Sequence, residues 1–545
     1  MKKLLVASAM TALAGVTLAA CGNNSSNNDA KTQTLNLAAT SQLSTLDIST
    51  STGYGSTGNA FSSFYKLGDD GKPELDLAQS AKTSKDGKTW TFKLRDAKWS
   101  NGKDITANDF VYSWRRTVKP ATKAEYSYLF NDVENGEAIT NGKMNPDKLG
   151  IKALNKHTVQ IKLTKPIAYF KTLMAYPLFG PQDQATVKKY GDKYGTNAKY
   201  MVYSGPFSIE GWNGTNDTWS YVKNNNYWDA KDIKLKKINY TVVANPTTSL
   251  NLYNQGKIDV TALSSEQLKN YKNNSELHDY SYSMTTFLRY NFNDPDEQNR
   301  KIINNKNIRK AISLAIDRDQ LNESILGFNT KKITGFVPYG LANDPKTGKD
   351  FADQQGNKDS LAYNKKLAKQ YYEKGLKELG IKNVSLSLMA STDDSNTPVA
   401  TQYLKAQLES VLPGFTLNLR TIPGKLASDN ATKGNFEISL SSWGGDFKDP
   451  ITFLQIPEQN TPYNFGKYND TKFNALLKKA GTTDANDASK RWQDLIDASK
   501  ELNDDQGISP LYQVRTYYLQ KSYVKDVIHN TAGPQWNYTK TFIKK

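Results

Sequence analysis

The sequence predicts an α/β protein built on parallel or mixed sheets. Two observations carry that expectation. Through the second half of the chain, segments with period-two alternation of apolar residues trade places with segments of period 3.6. No segment of about 20–50 residues recurs, which excludes a solenoid. At 545 residues the chain has room for three or four domains of ~150 residues.

The elements follow in order. Residues 34–38 alternate polar and apolar, as a half-buried strand does. Asp86-Gly87 signals a turn, and the segment after it, TWTFKLR from Thr89 to Arg95, is a period-two strand. Thr106-Ala107-Asn108-Asp109 has the form of a capping box with Asp in place of Glu. It opens a helix whose Phe110, Val111, Trp114 and Val118 share one face. Val159, Ile161 and Leu163 mark another strand. Ile308, Ala311, Ile312, Ala315 and Ile316 fall at helical spacing. Further on, a helix over 367–379 stops at Gly380 and a strand covers 384–388. A helix over 399–412 is cut off by Pro413-Gly414, and strands follow at 415–420 and 436–440. The last helix, 488–502, places Trp492, Leu495, Ile496 and Ser499 on one side.

The first residues read as an export address. Lys2 and Lys3 precede a short apolar run from Leu4 to Thr17, which is too short to span a bilayer. The run ends in Leu18-Ala19-Ala20-Cys21, and Cys21 is the only cysteine, so no intramolecular disulfide is possible. The polar string GNNSSNNDA that follows suits a flexible tether. The chain has 71 Lys+Arg against 54 Asp+Glu, a net +17, and loss of Lys2 and Lys3 with a leader leaves +15. The basic residues come in pairs such as Lys188-Lys189 and Lys478-Lys479 rather than long runs. An exported address argues against nucleic acid, and a solvated basic surface is the expected reading.

Catalytic patterns are thin. His157, His278 and His529 show no metal-ligand spacing, and H-E-x-x-H, G-x-S-x-G and P-loop patterns are absent. Gly53-Tyr54-Gly55-Ser56-Thr57-Gly58 matches G-x-G-x-x-G, but polar residues precede it where a dinucleotide fingerprint needs a buried strand, so a glycine-rich loop is expected. The informative segment is FEISLSSWGGDFKDPITFL, from Phe436 to Leu454. A strand runs into Ser441-Ser442-Trp443-Gly444-Gly445-Asp446. The glycines allow close backbone approach and release the chain from strand geometry. Asp446 lies past the strand end, where α/β sheets place ligands. A turn capped by Asp446 fits the same residues.

Several segments together resemble the oligopeptide-binding family of extracellular solute-binding proteins, the peptide receptors of ABC importers. TWTFKLRDAKWSNGKDITANDFVYSW, from Thr89 to Trp114, is similar to that family's strand, W-x-D/N-G and helix stretch. Ser204-Gly205-Pro206-Phe207 with Asn225-Asn226-Tyr227-Trp228 resembles its G-P-[YF] and N-x-x-Y-W pair. Tyr253 to Val260 resembles its x-x-G-x-I-D stretch. Asn307 to Leu321 is similar to its A-I-D-R helix, and WGGDFKDPITFL to its W-x-x-D-[YF]-x-D-P segment. The matches run in order from about residue 34 to the carboxyl terminus.

The resemblance implies a two-lobed clamshell of mixed sheets flanked by helices, with an extra third domain. One lobe would comprise 33–71, 201–285 and 509–545, with 72–200 as the additional domain beside it. The other lobe would be 286–508, with hinges near Leu288 and Ser509. Residues 1–20 would be a signal peptide, and 21–32 a lipidated Cys21 and tether holding the protein on the outer face of the cytoplasmic membrane. Peptides would bind between the lobes and pass to the permease of an ABC importer. Asp446 would hold the peptide's α-amino group. Ser442, Trp443, Gly444 and Gly445 would lie along its backbone like an added strand. Ser62 and Ser63 replace an acidic-glycine pair found in many relatives. The expected protein is a monomer without catalytic activity, cofactor or metal. A receptor for another small solute, whether dipeptide, sugar or pheromone-like peptide, is the second reading, ahead of a wall adhesin or secreted hydrolase.

Overall fold

The computed structural model describes residues 33–51, 57–327, 330–356, 360–393 and 396–544. The expected leader, Cys21, the expected tether and most of the glycine-rich segment at 53–58 lie outside the described residues. Three sheets organise the rest.

The first sheet has seven strands. From edge to edge they are Leu277–Asp279, Tyr517–Gln520, Val260–Ala262, Thr34–Ala39, Lys237–Val242, Thr218–Lys223 and Phe207–Glu210. Thr34–Ala39 lies in the middle and runs parallel to both neighbours, while the outer pairs are antiparallel. Its Leu35 and Leu37 are buried, as the alternation requires. The helix Pro246–Asn254 links the two strands that flank it. Asn245 caps that helix by accepting from the Thr248 N–H, and proline takes the first turn, where no amide donor is needed.

The second sheet has six strands, in the order Thr330–Lys331, Ile508–Val514, Met284–Tyr290, Ile438–Gly444, Val384–Ser391 and Phe415–Ile422. Two strands connected through helix Thr397–Val411 run parallel, and Met284–Tyr290 is antiparallel to both of its neighbours. Ile308, Ala311, Ile312 and Ala315 present the apolar face of helix Lys306–Ala315 to this sheet's core. Helix Lys365–Leu379 ends as expected, with Gly380 at φ +68° accepting the left-handed cap. A smaller four-stranded antiparallel sheet spans Ala78–Thr83, Thr89–Leu94, Thr158–Lys162 and Ile151–Asn155. Helix Ala107–Val118 packs on it, opened by Asp109, whose carboxylate accepts from the Thr106 N–H at 2.7 Å and hydroxyl at 2.9 Å. Phe64 stacks between Phe92 and Phe110 in the core beneath, with centroids 4.3 and 4.1 Å apart. No helix among the described residues is long and apolar enough to cross a membrane.

The chain passes between the two large sheets twice, at 280–283 and 515–516. The expected hinge residues Leu288 and Ser509 instead face each other as paired neighbours inside the second sheet. Ser509 is buried there on the Tyr290 hydroxyl at 2.8 Å. The extended pairing continues past both residues, so the backbone turns aside only where the ladder ends.

The SGPF stretch has a steric cause. The Gly205 N–H donates to the Ala60 carbonyl at 2.9 Å, and a Cβ at 205 would stand 2.6 Å from the Ala60 carbonyl carbon. Backbone cannot move aside as a side-chain tip can. Gly205→Ala should therefore destabilise the fold by about 1–3 kcal/mol. A lower melting temperature on thermal unfolding checks this, and an unchanged one would show that the 60–61 segment yields freely.

Candidate ligand-binding site

The strand Ile438–Gly444, called the site strand below, pairs along its whole length with Met284–Tyr290, from Met284 opposite Gly444 to Tyr290 opposite Ile438. On its other side, Val384–Ser391 follows it only at Leu388 and Met389, opposite Ile438 and Ser439. Beyond Ser439 no strand among the described residues pairs with that side. The strand reaches past the expected end at Leu440, because its partner keeps register through Gly444. Ser441, Ser442 and Trp443 therefore stand in extended backbone, and the glycines end the strand rather than interrupt it.

Gly445 follows as the anchor. Its N–H donates to the Ser283 carbonyl at 2.8 Å, and its carbonyl accepts from the Gly533 N–H at 3.1 Å and the Tyr282 hydroxyl at 2.5 Å. A Cβ here would stand 2.9 Å from Leu341 and 3.3 Å from Ala532, so only glycine fits without displacement. Three distant segments thus fix the residue before Asp446.

Asp446 is only 9 % exposed. Its N–H donates to Thr452 Oγ1 at 3.0 Å, and its Oδ2 accepts from the Tyr128 hydroxyl at 3.1 Å. No ion pair among the described residues includes it, although the chain is strongly basic. Burial pushes its carboxyl up to about 7, against the opposing pull of the Tyr128 hydrogen bond. Rings surround it. Burial, and then the charge of Asp446, push the phenols of Tyr126, Tyr128, Tyr282 and Tyr463 above their ordinary range. Tyr463 packs edge-on against Tyr128 at 5.1 Å and tilts against Trp443 at 4.9 Å. The Trp443 Nε1 is buried without an acceptor among the described residues. Ser442 is exposed on the strand, with its hydroxyl 2.8 Å from that of Thr286.

The structure brings Ser442, Trp443, Gly444, Gly445 and Asp446 into one run that ends in a desolvated carboxylate. Ser62 and Ser63 are buried instead, with their backbones tied to the Ser204 hydroxyl and the Leu77 N–H. No local pattern in the chain announces the tyrosine wall, because Tyr126 and Tyr128, Tyr282 and Tyr463 come from three separate segments. The aromatic richness of Glu125–Phe130, EYSYLF, is a local signal that could have marked part of it. Chemically, the arrangement sets a strand side that no described strand pairs with beside a desolvated carboxyl that no described cation meets.

Mixed sheets joined by two crossings, with such a site on one of them, define a solute-binding receptor of the periplasmic-binding-protein type. Residues 72–465 match the family described as bacterial extracellular solute-binding proteins, family 5 Middle, and the chain belongs to that family. It is 35 % identical to the dipeptide-binding protein of Lactococcus lactis subsp. cremoris over 99 % of both chains. It is 31 % identical to the oligopeptide-binding protein OppA of Bacillus subtilis, over 87 % of this chain and 85 % of that one. Among solved structures, Listeria monocytogenes OppA bound to peptide superposes with a TM-score of 0.81 at 37 % identity, covering 94 % of this chain and 99 % of the other.

The raised carboxyl makes a stability prediction. A group whose folded pKa lies above its unfolded value stabilises fully below the unfolded value and loses that contribution as pH rises through the folded one. For Asp446 the window runs from 3.8 to about 7. Asp446→Asn removes the charge and keeps the acceptor for Tyr128. Without ligand, the variant should melt close to wild type at pH 4 and increasingly above it towards pH 7, by at most about 1.4 kcal/mol per pH unit. Thermal unfolding at pH 4, 6 and 8 tests this, and a gap that does not change with pH would show that the carboxylate is hydrated.

Proposed function

We propose that the chain is an extracellular peptide receptor that binds oligopeptides with a free α-amino group and delivers them to an ABC importer. The observation that carries this reading is the buried, unpaired carboxylate of Asp446 at the end of the open side of the site strand. An extended peptide laid along Ser441–Gly444 would add main-chain hydrogen bonds that do not read side chains. Its ammonium would meet Asp446, because a desolvated charge needs an opposite one. The relatives support the reading, since they are dipeptide- and oligopeptide-binding proteins and one of the similar structures holds a peptide. A receptor of this kind returns its ligand unchanged.

The same proposal divides the chain. The first sheet, with the domain over 72–200 beside it, forms one lobe, and the second sheet with its helices forms the other. The segments 280–283 and 515–516 serve as hinges, and the protein works as a monomer. Cys21 carries the lipid that holds it at the outer face of the membrane. Two acyl chains anchor a protein where one gives only marginal binding. Cys21→Ser should release the protein into the medium, as cell fractionation would show, and retention on the membrane would overturn the anchor.

The ligand test is a cycle of four binding measurements. Truncating one partner of a buried, hydrogen-bonded charge pair costs about 2–5 kcal/mol. Asp446→Ala should therefore weaken binding of a free-amine peptide by roughly 30-fold to several thousand-fold. The N-acetylated peptide should bind wild type poorly and lose much less on moving to the variant. Calorimetry at fixed salt reads all four affinities. Additive losses would mean that Asp446 merely caps a turn, and the free-amine reading would fall.

A further inference from the structure

The domain over 72–200 meets the second-sheet lobe at several points. The Tyr128 hydroxyl donates to Asp446 at 3.1 Å. Next to it in the chain, Phe447 stacks on Tyr169 at 4.1 Å, and the Arg491 guanidinium lies 5.9 Å from the Tyr169 ring. Beside Tyr169 the two parts stand apart and enclose a cavity of about 510 Å³. Asp132, Lys165 and Tyr169 line it from the domain, and Gln455, Glu458 and Lys478 from the lobe.

Glu458 is the misfit in that cavity. It is half-buried, and among the described residues no hydrogen bond or ion pair holds its carboxyl group. The charges that act on it are Lys165 and Asp132. Both belong to the opposite domain, and they pair with each other at 3.0 Å. Lys165 therefore has an acid of its own, and Asp132 adds repulsion. Arg491 also lines the cavity but is spent on Asp449 at 2.7 Å. Lys478 is exposed on helix Thr471–Gly481. Tyr169 completes the titratable lining. A carboxylate shut into such a place loses water without gaining a cation, and a proton relieves that cost. Burial accordingly pushes Glu458 up to about 7, against the pull of Lys165 and with a further push from Asp132.

We propose that closing the domain over 72–200 onto the second-sheet lobe takes up a proton at Glu458, so that the empty receptor is held shut in acid and released towards neutral pH. The proposal rests on the two-lobed reading of the chain. When the lobes part, Glu458 leaves Asp132 and Lys165 behind and meets water, and its carboxyl returns to the ordinary range near 4.5. A group with a higher pKa in the closed form favours closure fully below its open value and loses that contribution as pH rises through the closed one. For Glu458 the window runs from 4.5 to about 7. Each pH unit of difference is tenfold in the closed-to-open ratio, so a swing of roughly 10- to 100-fold is expected with some hydration left in the cavity. Asp446, faced by Tyr126, Tyr128, Tyr282 and Tyr463, acts in the same sense while the site is empty. A peptide's ammonium would replace the proton of Asp446 but not that of Glu458, because none of Ser441–Asp446 lines the Glu458 cavity.

Small-angle scattering of the ligand-free protein across pH 4.5 to 8 reads the closed-to-open ratio. Wild type should be compact in acid and wider at pH 8. Glu458→Gln keeps the shape of the protonated acid and should raise the closed-to-open ratio at pH 8 by 10- to 100-fold. A pH response in Glu458→Gln equal to that of wild type would overturn the proposal. A wild-type radius of gyration that ignores pH but shrinks with penta-alanine would overturn it too and leave the two-lobed reading standing. A radius that ignores both would fell both. Calorimetry with penta-alanine at pH 7, in buffers of different ionisation enthalpy, counts the proton directly. Wild type should take up about half a proton more per peptide bound than Glu458→Gln, and equal uptake would overturn the proposal. Should Glu458→Gln not fold, Asp132→Asn replaces it. That change removes the repelling acid and frees Lys165 to meet Glu458, so it too should keep the empty protein compact at pH 8. A response like that of wild type would overturn the proposal.

Discussion

The rest of the structure depends on keeping one carboxylate dry and unpaired. Burying an unpaired charge is costly, and the carboxyl of Asp446 is pushed up to about 7 as a result. The protein sustains this by over-determining the backbone around it. Gly445 is bound from three sides, and Phe447 stacks flat on Tyr169 at 4.1 Å and 4°. Asp449, three residues on, is locked by Arg491 in a buried bidentate pair at 2.7 and 2.7 Å. With its neighbours fixed, Asp446 cannot swing out to water without breaking contacts on both flanks.

Asp446 and Asp449 show how opposite fates arise within one short stretch. Asp449 meets a guanidinium and spends its charge on structure. Asp446 meets four tyrosines and keeps its charge available. Phenols suit this role because they wall off water and offer a hydrogen bond, yet they bring no positive charge to neutralise the carboxylate. A lysine in place of Tyr128 would pair with Asp446 and neutralise it.

The open side of the site strand is a second constraint met by the same geometry. A long free edge invites unwanted pairing. Here Val384–Ser391 covers the strand at Ile438 and Ser439 and then stays with Phe415–Ile422, so only a few residues remain open. They lead into the pocket of Asp446. On the proposed reading, backbone pairing and charge pairing would act together on one extended chain without reading its sequence.

Much of this was legible in the chain itself. Period-two alternation located Thr34–Ala39 and Thr89–Leu94, and 3.6-residue spacing located Lys306–Ala315. Gly380 marked a helix end, and Asp109 marked a helix start. These features are local: a cap, a turn or a face is decided by residues a few positions apart. The WGGD stretch could be placed past a strand, but its strand end was set too early, because the ladder with Met284–Tyr290 comes from more than a hundred residues away. The crossings between the sheets fall a few residues beyond Leu288 and Ser509 for the same reason, since those two are joined by pairing that neither segment shows alone. By itself the sequence determined the α/β elements and the identity of the acid at 446. Only the tertiary structure decided that this acid would be dry, ringed by tyrosines from three other segments and, among the described residues, left without a cation. Desolvation sums over everything packed around a group, and no local pattern in the chain records that sum.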